Sequence, residues 1–381
     1  ARPMAWSRPG MSLRVVKVGT SLLRSTERRS TADAISALCL NLAQCLQRGD
    51  RVVLVTSGAV GLGCQRLGLT ARPSTLRGLQ AAAAIGQGHL MALYEEAMAV
   101  HGIPVAQVLL TRSDLADSRS YHNASATLHQ LIEWKVLPVI NENDTVSSAE
   151  LRFGDNDTLS ALVAAAIDAD DLILLTDIDR LYSADPRSDA SARPISDVHH
   201  PEELQALEQG AGDGGRWGTG GMTTKIAAAR IATASGITVH LADGRDQHTL
   251  QTMLAGGRGG TVFHPHPQPL GHRKSWLAHA LQPQGSLHID GGACLALCDK
   301  GASLLLVGIT DITGEFQANQ PVRILDQEGD EVARGLSSLS SEALRGLVKE
   351  PARTDRQGGS PVVVHRDVLV LSTPTIRQPD P

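Results

Sequence analysis

Runs of consecutive apolar residues alternate with helical periodicities over about the first 260 residues of the chain. The apolar, β-branched runs at 13–18, 51–56, 105–110, 137–140, 171–176 and 238–242 read as strands. The stretches between them that repeat at helical spacing, 31–47, 75–100, 120–134, 158–169 and 222–235, read as helices. Strands apolar at nearly every position are buried on both faces, and strands separated by helices pair in parallel. The pattern therefore predicts an α/β fold, a three-layer αβα sandwich around a mostly parallel central sheet. In such sheets ligands bind at the carboxyl ends of the strands. Residues 264–284 collect prolines and histidines and read as a linker. From residue 285 onward, short runs with glycine-rich turns (304–310, 321–325, 331–336, 362–365 and 368–371) predict a small β-barrel. The expected organisation is a disordered lead-in at 1–12, a sheet domain at 13–263, the linker, a barrel domain at 285–375 and a tail at 376–381.

Composition narrows this picture without changing it. A chain of 381 residues has room for two domains, and its net charge of -5 gives no bulk attraction for nucleic acid or for an anionic membrane. No run approaches the roughly 18 apolar residues of a spanning helix, and the opening ARPMAWSRPGMS lacks the apolar core of a signal peptide. A soluble, cytoplasmic protein is expected, with Met11 a candidate natural start. The five cysteines, Cys39, Cys45, Cys64, Cys294 and Cys298, are odd in number and scattered, and they read as small core residues. Cys294 and Cys298 form a CxxxC pair without the further ligands of a tetrahedral zinc set. The histidines of the HPHP stretch, His264 and His266, read as part of an exposed extended chain rather than as metal ligands.

Chemistry concentrates at the predicted strand ends. Between residues 138 and 162 two acid and amide clusters, Asn141-Glu142-Asn143-Asp144 and Asp155-Asn156-Asp157, interrupt apolar segments. The first follows a buried strand. The second precedes a Leu/Ala-rich helix expected to begin near Thr158, where one Asp or Asn serves as an ordinary N-cap. Capping accounts for one or two of these residues and leaves the others to a ligand. Lys17-Val18-Gly19-Thr20-Ser21 follows the first strand, Thr56-Ser57-Gly58 the second, and Thr176-Asp177 ends the fifth, so these loops should share one rim with the first cluster. Glycines such as Gly19, Gly58 and Gly61 let backbone N–H groups approach a phosphate, although a glycine after a strand is more often only a turn. Gly218-Thr219-Gly220-Gly221-Met222-Thr223-Thr224-Lys225 opens a helix and joins backbone donors, the helix dipole and a lysine. No G-x-x-x-x-G-K-[ST] P-loop is present, and no G-x-G-x-x-G stretch directly follows a predicted strand, as the dinucleotide fingerprint requires. Two lysines with carboxylates able to hold them or a metal point to phosphoryl transfer, in which positioning and charge neutralisation do most of the work.

Taken together these motifs resemble the amino-acid kinase superfamily, and within it the branch that phosphorylates the side chain of L-glutamate. The resemblance covers nearly the whole chain. It is carried by VVKVGTS at 15–21, VTSGAVGLG at 55–63, LLTRSD at 109–114, PVINENDTV at 138–146, GDNDTLSA at 154–161, LLTDIDRLYSADPR at 174–187 and GTGGMTTK at 218–225. It implies ATP and Mg2+ as cofactors and L-glutamyl 5-phosphate as product. Lys17 and Lys225 would stabilise the transferring group and Asp157 would orient them. Ser57, Asp144 and Asn156 would bind glutamate with Asn141 and Asp155 close by. Lys17, Thr176, Asp177 and the loop from Gly218 to Lys225 would hold ATP. Which residues hold the metal is left open. The resemblance further implies feedback inhibition by proline, a homo-oligomer (dimer or tetramer), and a reductase partner, glutamate-5-semialdehyde dehydrogenase (glutamyl phosphate reductase). Arg180 stands where the family often has glycine. Superfamily members that use aspartate usually carry a KFGG-type opening and regulatory ACT domains, where the opening here is Lys17-Val18-Gly19, and those that use UMP end without a β-barrel, so both match less well.

The C-terminal region resembles a PUA domain, a module associated with RNA modification enzymes, which makes RNA binding the rival reading. Residues 285–375 carry twelve acidic and eight basic side chains, and Phe316 is their only aromatic. Backbone contacts to RNA want a basic surface and single-strand recognition wants stacking rings, so a structural or regulatory role is expected instead.

Overall fold

The computed structural model describes residues 11–27, 29–146, 156–184, 189–199, 203–204, 207, 221–267, 269, 283–348 and 360–372. Most of the expected lead-in and linker, the whole tail, and the site candidates Asp155, Gly218, Thr219 and Gly220 lie outside the described residues. The chain divides into two compact units, Ala1–Pro269 and Leu270–Pro381.

The strands of the first unit are β1 (Leu13–Val18), β2 (Arg51–Val55), β3 (Val105–Leu110), β4 (Leu137–Glu142), β5 (Asp171–Thr176), β6 (Leu181–Tyr182), β7 (Pro194–Ile195), β8 (Asp197–Val198), β9 (Thr238–Asp243) and β10 (Thr261–Phe263). Eight of them form one sheet in the order β3-β4-β2-β1-β5-β9-β10-β8, while β6 and β7 pair separately as a hairpin. Pairing is parallel from β3 through β9; β10 turns antiparallel on β9 and carries β8 parallel to itself. The helices are α1 (Thr20–Leu23), α2 (Thr31–Gln47), α3 (Ala59–Arg66), α4 (Leu76–Ala99), α5 (Arg112–Ala116), α6 (Ser118–Glu133), α7 (Asn156–Ala166), α8 (Gly221–Ala234) and α9 (Gln247–Leu254).

Sequence chemistry sets these helix boundaries. Ser30 caps α2 by accepting from the Asp33 N–H while the Asp33 carboxylate accepts from the Ser30 N–H. Thr75 caps α4 and Asp117 caps α6 in the simpler one-way manner. One face of the sheet, with Val16, Val18, Leu54, Ile173 and Leu175, packs in a single apolar cluster with Ile35, Leu42, Leu90, Met98 and Leu250 from α2, α4 and α9. On the other side α7 packs against β1, β5 and α8, and α6 packs against β4. The expected three-layer sandwich is the architecture observed. Because β4, β2, β1 and β5 are consecutive and parallel, their carboxyl ends share one rim.

Two local expectations change. The fourth strand does not stop at Ile140 but continues through Asn141 and Glu142, both buried. Helix α7 starts at Asn156, two residues early, so Asp157 lies inside its first turn instead of capping it. Only Cys39 and Cys45 are core residues; Cys64 and Cys294 are half-buried and Cys298 is exposed. Among the described residues no helix is long and apolar enough to cross a membrane.

The second unit holds β11 (Gly285–Ile289), α10 (Gly291–Lys300), β12 (Leu304–Leu305), β13 (Ile309–Gly314), β14 (Pro321–Leu325), β15 (Glu331–Leu336), α11 (Ser341–Val348), β16 (Val362–Val364) and β17 (Leu369–Leu371). A five-stranded sheet in the order β13-β11-β14-β15-β17 and the small β12-β16 pair enclose a core of Leu287, Ile289, Leu306, Phe316, Ile324 and Val364. The run at 304–310 is not one strand. A 3-10 turn at Leu306–Gly308 separates β12 from β13, where Gly308 sits so close to Ala293 that an added Cβ would lie 2.5 Å from the alanine's own.

Candidate active site

Three charged side chains from distant parts of the sequence meet at the rim. Lys17 sits in the central strand β1, not in the loop after it, and is only 4% exposed. Asp157 is 4% exposed in the first turn of α7, and Lys225 lies near the start of α8. The Asp157 Oδ1 is 2.5 Å from Lys17 Nζ, and its Oδ2 accepts from Lys225 Nζ at 3.1 Å and from the Thr224 hydroxyl at 2.7 Å. Lys225 Nζ also donates to the Gly221 carbonyl at 3.1 Å. Burial pushes the Asp157 carboxyl up, but the lysine charges, with hydrogen bonds from Lys17 and Thr224, outweigh it and hold the group below the usual carboxylate range. The centre thus keeps two positive charges against one negative, a net charge suited to an anion that arrives from outside.

The residue before Asp157 belongs to a second network. Asn156 Nδ2 donates to the Thr56 carbonyl at 2.5 Å and to Asn141 Oδ1 at 2.8 Å, with Ser57 Oγ 3.0 Å away. Those acceptors fix the orientation of the amide and leave Asn156 Oδ1 buried without a partner among the described residues. Asn141 in turn donates to Gln87 Oε1 at 2.8 Å. Ser57, Asn141, Asp144 and Asn156 border a cavity of about 580 Å³ whose wall also includes Arg24, Gly58 and Arg72. Burial, followed by the charge of Glu142, raises the Asp144 carboxyl to about 7, with Arg72 pulling the other way. A buried orphan acceptor beside a carboxylate is an arrangement that takes a cationic donor.

On the far side of β1, Thr176 ends β5 and is buried, with its hydroxyl 3.3 Å from Asp177 Oδ1. Arg245, paired with Asp243 at 2.8 Å, donates to the Asp177 carbonyl at 2.6 Å and so ties the ends of β5 and β9 together. Arg180 pairs with Asp179 at 2.9 Å. Met222, Thr223 and Thr224 are half-buried in the first turn of α8, and Gly221 is exposed. Gln87 and Arg72 were not among the residues singled out from the sequence. An amide within a helical pattern and an arginine in a polar loop carry no local signal of the site they reach.

The model of the amino acid kinase family matches residues 12–243. The chain belongs to that family. A PUA domain model matches residues 285–354. Among amino acid kinase relatives, the glutamate 5-kinase of Synechococcus sp. (strain CC9605) is 67% identical over 361 residues, 95% of this chain and 99% of its own. The glutamate 5-kinase of Parasynechococcus marenigrum (strain WH8102) is 68% identical over 362 residues, with the same coverage of both chains. The fold is shared with a solved carbamate kinase from Giardia lamblia bound to AMP-PNP, at a TM-score of 0.50 and 16% identity, over 68% of this chain and 99% of that one.

Proposed function

We infer that this protein transfers the γ-phosphoryl group of ATP to the side-chain carboxylate of L-glutamate, giving ADP and L-glutamyl 5-phosphate, the first step of proline biosynthesis. The observation that carries the reading is the buried Lys17–Asp157–Lys225 cluster, joined through consecutive residues to the amide pocket of Ser57, Asn141 and Asn156. Identity of 67–68% to glutamate 5-kinases over nearly the full chain supports glutamate over aspartate or UMP as acceptor.

The acceptor carboxylate is ionised at neutral pH, so no general base is needed. One carboxylate oxygen attacks the γ-phosphorus as the bond to the β–γ bridging oxygen breaks, and that electron pair leaves on ADP. The difficulty is bringing one anion up to another. Lys17 and Lys225 neutralise the equatorial oxygens, and Asp157 holds both ammonium groups apart and aimed. In this reading Asp144 and the orphan Asn156 Oδ1 take the glutamate ammonium, Ser57 and Asn141 complete the pocket, and Asp155 stands close by in sequence. Thr176, Asp177 and the stretch from Gly218 through Thr219, Gly220, Gly221, Met222 and Thr223 hold the nucleotide. Bound with the triphosphate, Mg2+ would supply neutralisation of phosphate charge. Both Asp157 oxygens are engaged by the lysines and Thr224, so this carboxylate would serve the ammonium groups rather than the ion. Membership of the family also supports cytoplasmic residence, a homo-oligomer, proline as inhibitor, and a reductase that takes up the labile acyl phosphate.

Purified protein given ATP, Mg2+, glutamate and hydroxylamine is expected to form glutamyl hydroxamate. Turnover with aspartate or UMP and none with glutamate would overturn the assignment. Asp144 adds a pH signature. Only its ionised form attracts an ammonium group, so the KM for glutamate should rise several-fold as pH falls from about 8 to about 6, through the group's value of about 7. Asp144→Asn should raise KM at every pH and flatten this dependence; a slope unchanged in the variant would remove Asp144 from the pocket. Because the folded value is raised, the contribution of this group to stability is full below about pH 4 and is lost as pH rises through about 7. Glutamate should therefore raise the thermal midpoint more at pH 8 than at pH 6.

A further inference from the structure

The HPHP stretch that reads from the sequence as an exposed chain begins, in the structure, at a half-buried histidine inside a cluster of metal-ligating side chains. We propose that Asp197, His199 and His264 form a binding site for a divalent transition-metal ion of the zinc class, distinct from the magnesium that accompanies ATP.

Backbone pairing places the three donors. β8 and β10 run parallel with Val262 opposite Asp197 and Phe263 opposite Val198, and the pairing extends past the strand ends through the His264 N–H, which donates to the Val198 carbonyl at 2.9 Å. His199 and His264 are thus the first residues beyond two adjacent strand ends, and Asp197 lies within β8. Their positions are set by sheet register. The ligand atoms all lie within 4.8 Å of one another. The two imidazole rings stack at 4.2 Å with an interplanar angle of 11°, and Asp197 Oδ1 is 2.8 Å from His264 Nε2.

Two imidazoles and one carboxylate form a donor set that suits zinc. Tetrahedral bonds of about 2.0–2.1 Å put neighbouring ligand atoms about 3.3 Å apart. The Asp197–His264 pair must therefore open by about half an ångström, no pair must close by more than about 1.5 Å, and one of the stacked rings must turn so that both in-plane lone pairs meet at the ion, a motion the exposed His199 can make. The opposing feature is Arg258, whose guanidinium is 3.3 Å from Asp197 Oδ1. Its side chain is 69% exposed, so it can leave for water at little cost when a doubly charged ion takes the carboxylate. The strands joined by the site bear on the nucleotide side. β8 follows the β6–β7 hairpin, which begins shortly after Asp177, and the Thr261 hydroxyl at the start of β10 accepts from the Leu181 N–H and donates to the Ile195 carbonyl. A bound ion clamps this arm to the sheet, which is a structural role and not a part in phosphoryl transfer.

The test uses full-length protein stripped with EDTA and free of nucleotide, titrated with Zn2+ by calorimetry and with Co2+ by absorption. One equivalent of Zn2+ should bind, and His264→Ala and Asp197→Asn should each weaken it at least tenfold. His199→Ala, at an exposed position, should do the same while hydroxamate formation with Mg-ATP stays at the wild-type rate. Because Cys294 and Cys298, four residues apart on α10, are a rival zinc ligand pair, the Cys294→Ser/Cys298→Ser variant is the control. Binding unchanged in that variant, with cobalt d–d bands and no thiolate charge-transfer band, supports the site. No saturable Zn2+ uptake, uptake that survives His199→Ala and His264→Ala, or uptake lost with the cysteines overturns it.

Discussion

Replacing Asp157 by asparagine is expected to lower kcat by about two to three orders of magnitude, the equivalent of about 3–4 kcal/mol of transition-state stabilisation, with the KM for glutamate moving only a few-fold. Asparagine fills nearly the same volume but cannot balance Lys17 and Lys225 together, so the two ammonium groups repel and lose their common aim. The cost extends to folding. Lys17 is only 5% exposed at its side chain, and removing one partner of a buried ion pair costs about 3–5 kcal/mol because it strands the other charge. Mg-ATP supplies a new anion to the stranded lysines, so its binding should raise the thermal midpoint of the variant more than that of the wild type. Lys225→Ala separates the two effects. It should slow turnover comparably with much less loss of stability, since Asp157 keeps Lys17 and the Thr224 hydroxyl. Hydroxamate formation across a glutamate series, with thermal melts with and without Mg-ATP, checks both. A variant that keeps kcat and raises the KM for glutamate tenfold would move Asp157 out of the phosphoryl path.

The central strands were legible because burial on both faces leaves an unbroken apolar signature. β1, β3 and β5 have the bounds expected of them. The same rule stopped the fourth strand at Ile140, because Asn141 and Glu142 look like loop residues. They remain in the strand because Asn141 finds Asn156 and Gln87 as partners, and those partners come from elsewhere in the chain. One acid or amide of the second cluster read as a cap for a related reason. An acid at a helix start satisfies backbone donors unless distant cations claim it, and here the lysines and Thr224 do. Strand pieces of two or three residues, such as β8 and β10, are too short for any periodicity to register. Placing the loops on one rim needed only the strand–helix alternation. The three-dimensional complements, Gln87, Arg72 and the contacts of the helix that begins after Ser57 and Gly58, leave no trace in local pattern.

Gly86→Ala is expected to be among the most damaging single-methyl changes in the first unit, although alanine is the better helix former. A Cβ on Gly86 would lie 1.8 Å from the Ala59 carbonyl oxygen and 2.5 Å from the Gly63 nitrogen, and one on Gly63 would lie 1.8 Å from the Ala82 carbonyl oxygen. Here α3 and α4 cross backbone against backbone, and the obstacle is main chain that cannot rotate aside. The helices must part by roughly 1 Å or more, at a cost at or above about 3 kcal/mol, the upper end of overpacking penalties. In a unit of this size that lowers the thermal midpoint by about 6–12 °C. The site moves with the helix. α3 begins directly after Ser57 and Gly58, which has φ +107° in the left-handed region, and Ala59, Val60, Gly61 and Leu62 form part of the cavity wall. Displacing α3 draws Ser57 away from Asn156, so the KM for glutamate should rise about tenfold in molecules that still fold, with ATP affinity less affected. Gly88→Ala is the control, two residues further along the same helix, where an added Cβ meets nothing within 4 Å. There alanine should gain up to about 1 kcal/mol from helix propensity alone. Equal melting temperatures and equal glutamate KM values for the two variants would mean that the close crossing of α3 and α4 does not hold the pocket in place.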